Sequence, residues 1–104
     1  MEMIDVLVYL PLYYNDGTKI EDEKFTQIFE ELAERFGGGT IFENIKGVWY
    51  SEGKKFVDEI KIVEITVPET PEVKEWFNVY ARDTLKHRFK QEKIWLKFRK
   101  SEVD

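Results

Sequence analysis

The segment ERFGGGTIF, Glu34 to Phe42, decides the fold. Its glycines, Gly37, Gly38 and Gly39, lie between a stretch of helical periodicity and an apolar, strand-like one. A loop that cradles phosphate must follow a strand and open a helix, because a helix N-terminus offers unpaired N–H groups and positive potential. Here the glycines close a helix and precede a strand, so they meet the wrong pole, and no Lys-Ser or Lys-Thr pair follows them. They are read as a helix stop, with Gly37 in the left-handed conformation after the last turn, and then a flexible turn.

Upstream of the glycines, Phe25, Ile28, Phe29, Leu32 and Phe36 fall on one apolar stripe, which predicts a helix over Glu21–Phe36. Glu21, Asp22 and Glu23 at its start and Arg35 in its last turn complement the helix dipole. With Glu21 as cap, Ile20 and Phe25 form a hydrophobic staple; Thr18 and Glu21 offer an alternative capping box a turn earlier. Before that, Met3–Leu12 alternates as a strand, with Ile4, Val6, Val8 and Leu10 on one side and Asp5, Leu7 and Tyr9 on the other. Both sides are largely apolar, which places this strand centrally. Pro11 has no N–H to give, so pairing is expected to fail there. Tyr14, Asn15, Asp16 and Gly17 form a turn.

Downstream, Ile41–Ser51 and Lys55–Val67 read as two strands joined by a tight hairpin at Gly53. Thr70, Pro71 and Glu72 open a second helix that runs to about Phe89, with Val73, Trp76, Phe77, Tyr80, Thr84 and Phe89 facing inward. Glu92–Arg99 is a last strand with Ile94, Leu96 and Phe98 on one face. The order β-α-β-β-α-β predicts an α+β, ferredoxin-like domain: a four-stranded antiparallel sheet with both helices on one face. Right-handed crossovers give strand order 4-1-3-2. The domain covers residues 1–100, with 101–104 as a short tail.

Composition narrows the function. The chain of 104 residues is 42% hydrophobic and 15% aromatic, enough for one core and too apolar for disorder. It has no cysteine and one histidine, which excludes disulfides, thiol nucleophiles and the usual zinc sites. That residue, His87, lies among lysines and arginines near a helix end and is read as a solvated group that complements the dipole. No run approaches the roughly 20 apolar residues of a membrane span, and the start carries no basic stretch followed by an apolar one, so a cytoplasmic protein is expected. A charged content of 36% with few Asn and Gln leans toward a thermophile. Nothing calls for a cofactor. Charge is uneven: residues 1–81 carry a net −9, residues 82–100 a net +6.

With both helices on one side, the other face of the sheet is left open. Alternation puts Leu7, Tyr9 and Trp95 there, joined by either Trp49 or Val48 and Tyr50 according to hairpin register. An uncovered face is ordinarily polar; this one is apolar and aromatic. Leu7, Tyr9, Trp49 and Trp95 are therefore the candidate binding or interface residues. A homodimer packed sheet on sheet, with Tyr9 and Trp95 in its interface, is expected; a small-molecule platform is the sharper possibility. Nucleic acid is disfavoured. RNA-recognition modules share this topology and stack bases on strand aromatics, but the third strand here carries Asp58, Glu59 and Glu64 in an acidic body. The reading is a non-enzymatic interaction or ligand-binding module. The alternative is a small metal-dependent hydrolase or nuclease using Asp5 and Asp58, since adjacent Asp58 and Glu59 point to opposite faces.

The stretches LPLYYNDGTKIEDEKF, FGGGT and GVWYSEGKKFVDE resemble a family of short, uncharacterised bacterial and archaeal proteins, over about residues 5–67. Pro11, the Tyr14–Gly17 turn, Phe25, Gly37, Gly38, Thr40, Gly47, Trp49 and Asp58 carry the resemblance. It implies a small α+β domain and transfers no activity. It draws attention to the loop residues Tyr14, Asn15 and Asp16, to Thr40 and to Trp49 as a group.

Overall fold

A computed structural model describes residues 2–102. The alternating first segment forms β1 (Met3–Pro11), with Ile4, Val6, Val8 and Leu10 buried beneath the helices. It pairs antiparallel with β3 (Lys54–Pro68) on one side and β4 (Trp95–Lys100) on the other, and β2 (Thr40–Ser51) lies outside β3. The sheet order β2-β3-β1-β4 is the expected 4-1-3-2, and the arrangement is ferredoxin-like α+β.

Pro11 does not end the pairing as expected: it lies opposite Ile60, and Leu12 N–H donates to the Glu59 carbonyl at 3.1 Å. Backbone groups alternate sides along a strand. The absent N–H of Pro11 therefore points toward β4, whose first residue, Trp95, is already opposite Tyr9. No ladder bond is lost.

The first helix, α1 (Asp22–Phe36), is capped by Glu21 without a side-chain bond, and the staple residues Ile20 and Phe25 are both buried. The alternative capping box does not form, because the Thr18 hydroxyl donates to Asp16 at 2.6 Å. Gly37 closes the helix at φ 88°, its N–H donating to the Ala33 carbonyl at 2.7 Å. Gly38 follows at φ 141°.

A second helix, α2, begins at Pro71, where Thr70 Oγ1 accepts from Val73 N–H at 3.1 Å. It is α-helical over Pro71–Val79, π-wound over Tyr80–Leu85, and α-helical again over Lys86–Arg88. A π turn carries an extra residue and rotates the rest of the helix by roughly 100°. Hence Ala81, Leu85 and Phe89 enter the core, and Thr84, expected inside, stays at the margin. The same rotation carries Arg88 to α1, where its guanidinium donates to both Glu31 oxygens at 2.7 and 2.9 Å. The Tyr80 hydroxyl donates to the same carboxylate at 2.5 Å. Arg88, with Tyr80, holds the Glu31 carboxyl below its ordinary pKa, while burial first and Glu31 second push the Tyr80 phenol up.

Candidate ligand-binding cleft

The open face is built from alternate residues of all four strands. Register places Asp5, Leu7, Tyr9 and Pro11 of β1 beside Thr66, Glu64, Ile62 and Ile60 of β3 and beside Arg99, Lys97 and Trp95 of β4. On β2 the parity depends on a bulge. Two residues, Glu43 and Asn44, intervene between Phe42, opposite Ile62, and Ile45, opposite Ile60. Asn44 takes φ 59°, which asparagine tolerates better than most residues. The extra residue puts Ile45, Gly47 and Trp49 on the open face and turns Val48 and Tyr50 to the helix side. This resolves the hairpin register in favour of Trp49.

The two ends of this face differ. At one end the chemistry is closed: Asp5 accepts from the Thr66 hydroxyl at 2.8 Å and from Arg99 Nε at 3.5 Å, and Arg99 also reaches Glu64 at 2.9 Å. The Thr66 hydrogen bond, with help from Arg99, keeps the Asp5 carboxyl below its ordinary pKa. At the other end, Tyr9, Trp49, Asp58 and Trp95 surround a cleft of about 380 Å³. Gly47, opposite Asp58, leaves its floor without a side chain. Gln91 reaches the cleft from the turn after α2, which Lys90 makes at φ 52°. Lys93 and Lys97 lie over the Trp95 and Tyr9 rings, at 4.5 and 5.4 Å from the centroids.

Tyr9, Trp49 and Trp95 thus come together. Leu7 does not join them: it is on the open face but only 7% exposed, between Glu64 and Lys97, and offers no contact surface of its own. Asp5 and Asp58 share the face but cannot share an ion. Asp5 stands opposite Thr66, eight positions along β3 from Asp58, or about 26 Å at the usual strand rise. Among the described residues no three of His, Cys, Asp and Glu gather as metal ligands. The expected pairing of the two aspartates at one metal ion is corrected by this geometry.

The loop candidates divide. Tyr14 and Asn15 line a second cavity of about 470 Å³ that adjoins the cleft through Pro11, Asp58 and Gln91. The Tyr14 hydroxyl is an anchor: it donates to Glu21 and accepts from Lys24, whose ammonium also reaches the Arg88 carbonyl at 2.7 Å. Asp16 is consumed by its own turn, accepting from the hydroxyl and the backbone N–H of Thr18, which lower its pKa. Thr40 stands opposite Glu64, at the far end of β2 from Trp49, and joins neither cavity. Sequence reasoning noted Gly47 only for the resemblance and missed Gln91, Lys93 and Lys97 as cleft residues. The lysines were findable, since the expected strand Glu92–Arg99 puts 93, 95 and 97 on one side, although β4 itself begins at Trp95.

Beyond the helices, the hairpin of β2 and β3 forms an arm exposed on both sides. Phe42, Trp49 and Phe56 project on the open side, and Val48, Tyr50 and Val57 on the other, Tyr50 being 72% exposed.

No protein-family model and no curated protein matches the sequence. Solved structures do. A CutA1 from Oryza sativa superposes with TM-score 0.65 at 16% identity, over 100% of this chain and 84% of that one. The divalent cation tolerance protein CutA1 from Thermus thermophilus gives 0.63 at 14%, over 100% and 87%. A phage SAM lyase in complex with S-methyl-5′-thioadenosine gives 0.70 at 13%, over 94% and 81%. The likeness is one of fold. Among the described residues no helix is long and apolar enough to cross a membrane.

Proposed function

We propose that this protein is a non-enzymatic small-ligand-binding module that self-associates through its hairpin arm and leaves the cleft of the open sheet face to the ligand. The observation that carries the reading is the convergence of Tyr9, Trp49 and Trp95, from three strands, around one cleft with a single carboxylate, Asp58. Ligand sites are concave, mostly apolar, and carry a few directed polar groups, and a volume near 380 Å³ lies within their usual range. The fold shared with a lyase captured with a thioadenosine makes nucleosides the first class to test; the cation tolerance proteins add divalent ions to the panel.

A second copy is proposed for the arm because its apolar residues face both ways and neither helix reaches them. A two-fold dimer is the simplest closed form. The test of the ligand reading is a melting-temperature panel of nucleosides, aromatic acids and divalent cations. An aromatic compound is expected to stabilise the wild type and to lose that effect in Trp49→Ala and Trp95→Ala. Stabilisation by a divalent cation alone would overturn the reading.

A further inference from the structure

The basic stretch from Arg82 to Lys100 holds eight bases, and the structure sorts them. Arg82 pairs with Asp83, Arg88 with Glu31, Arg99 with Glu64 and Asp5, and Lys100 with Glu2. Of the remaining four, Lys86 lies in the groove between α2 and β4. The other three stand over aromatic rings: Lys90 over Tyr14, Lys93 over Trp95 and Lys97 over Tyr9. None of these three makes an ion pair among the described residues, in a chain of net charge −5. Two of them, Lys93 and Lys97, line the aromatic cleft, and Lys90 stands at the adjoining cavity that Tyr14 lines.

An ammonium on an exposed ring is a weak contact, and lysine's four-carbon stem lets it move away easily. A flat ring entering the cleft would take over the faces of Trp95 and Tyr9. The displaced ammonium groups of Lys93 and Lys97 would then reach a substituent of that ring. Across the cleft, Asp58 accepts and Gln91 both donates and accepts, which suits the polar edge of a heterocycle. Resting on the cleft as the ligand site, we propose that its ligand is a planar aromatic ring system bearing an anionic group, phosphate or carboxylate. The ring lies among Tyr9, Trp49 and Trp95, and the anion lies against Lys93 and Lys97.

Calorimetric titration with matched probes tests this. Indole-3-acetate, indole and tryptamine carry one ring with negative, neutral and positive charge; adenosine 5′-monophosphate and adenosine repeat the comparison for phosphate. Anionic probes are expected to bind at least about tenfold tighter than their neutral parents, a 1.4 kcal/mol difference, with tryptamine weakest. The double variant Lys93→Gln/Lys97→Gln should abolish that advantage and leave neutral-probe affinity within about twofold. Both lysines are exposed, and an unchanged melting temperature certifies the variant. The larger gain, with the monophosphate or with the acetate, assigns phosphate or carboxylate. Equal binding of neutral and anionic probes, or a preference that survives in the double variant, overturns the anion and leaves the cleft as a site. If none of the five probes binds at millimolar concentration, both readings fall.

Discussion

The glycines of the joint are required for two different reasons, backbone conformation at Gly37 and Gly38 and space at Gly39, and alanine and asparagine substitutions separate them. Gly37, at φ 88°, has nothing within 4 Å of the position a Cβ would take, so Gly37→Ala is purely conformational. The left-handed cost is about 1–2 kcal/mol, and reduced freedom of the unfolded chain returns roughly 0.4–1, which leaves a net loss of about 1 kcal/mol. Gly38, at φ 141°, is also sterically free but sits farther from any conformation an L residue favours; a loss of about 1–3 kcal/mol follows. Gly39 is the reverse case. A Cβ there would lie 2.3 Å from Ile65 Cδ1 and 2.7 Å from the Glu64 carbonyl oxygen. Ile65 is only 1% exposed and Glu64 is held in the sheet, so neither yields easily, and Gly39→Ala should cost about 3 kcal/mol. At roughly 4–8 °C per kcal/mol, that is a fall in Tm of about 12–24 °C. Urea denaturation at constant m-value provides the energies. Because asparagine tolerates the left-handed region, Gly37→Asn should recover part of the loss, whereas Gly39→Asn should be no better than alanine. The reasoning fails if Gly39→Ala is milder than Gly37→Ala, or if asparagine rescues position 39 and not position 37.

Three further outcomes are expected. Arg88→Met leaves Glu31 half-buried without its bidentate partner and should cost about 1–2 kcal/mol at pH 7, less than a fully buried pair because Glu31 remains partly exposed. Since the Glu31 pKa is lowered by folding, its share of stability is present above the ordinary carboxylate range and lost as pH falls through the depressed value; the gap between Arg88→Met and wild type should narrow as pH falls below that range, read from paired urea titrations. Thr70→Ala removes the cap bond to Val73 and should cost about 1 kcal/mol in the same assay. Tyr50→Glu and Phe56→Glu, on opposite sides of the arm, should each weaken self-association with the circular dichroism spectrum unchanged; sedimentation of the wild type as a monomer at high micromolar concentration would refute the arm as an interface.

The legible part of the fold rests on features that act locally. The stripe from Phe25 to Phe36, the Thr70-Pro71 helix start, the glycine stop at Gly37 and the alternation of β1 each state their own conformation, and element order then settles the sheet. Half-buried Tyr9 and exposed Trp95 followed as open-face residues from alternation along their own strands. Leu7 did too, but its burial did not, because the side chains that shield it, on β3 and β4, come from distant parts of the chain. The pairing of Asp5 with Asp58 failed for a related reason: alternation assigns a face of the sheet and says nothing of position along it.

The hidden part comes down to two single-residue insertions, and both act on the cleft. Periodicity arguments assume an unbroken count, so an extra residue inverts the parity of a strand or rotates a helix without leaving a compositional trace. The bulge at Glu43–Asn44 exchanges the faces of β2 and delivers Trp49 rather than Tyr50 to the open side. The π turn at Tyr80–Leu85 brings Arg88 to Glu31 and seats Phe89 in the core against Phe25, at 5.3 Å between ring centroids. With Phe89 fixed there, Lys90 must turn the chain sharply at positive φ, and Gln91 and Lys93 are carried to the rim where Trp95 begins β4. Either insertion costs regular hydrogen bonding where it occurs, and in each case a residue of the cleft is what it positions. Deleting Asn44 takes out only the extra residue: Glu43 should then pair with Lys61 while Ile45 stays opposite Ile60 and Trp49 opposite Phe56, so the helices and the aromatic cleft should both be kept. That variant should bind an aromatic ligand as the wild type does, and a loss of binding would show that the bulge shapes the cleft by more than the parity of β2.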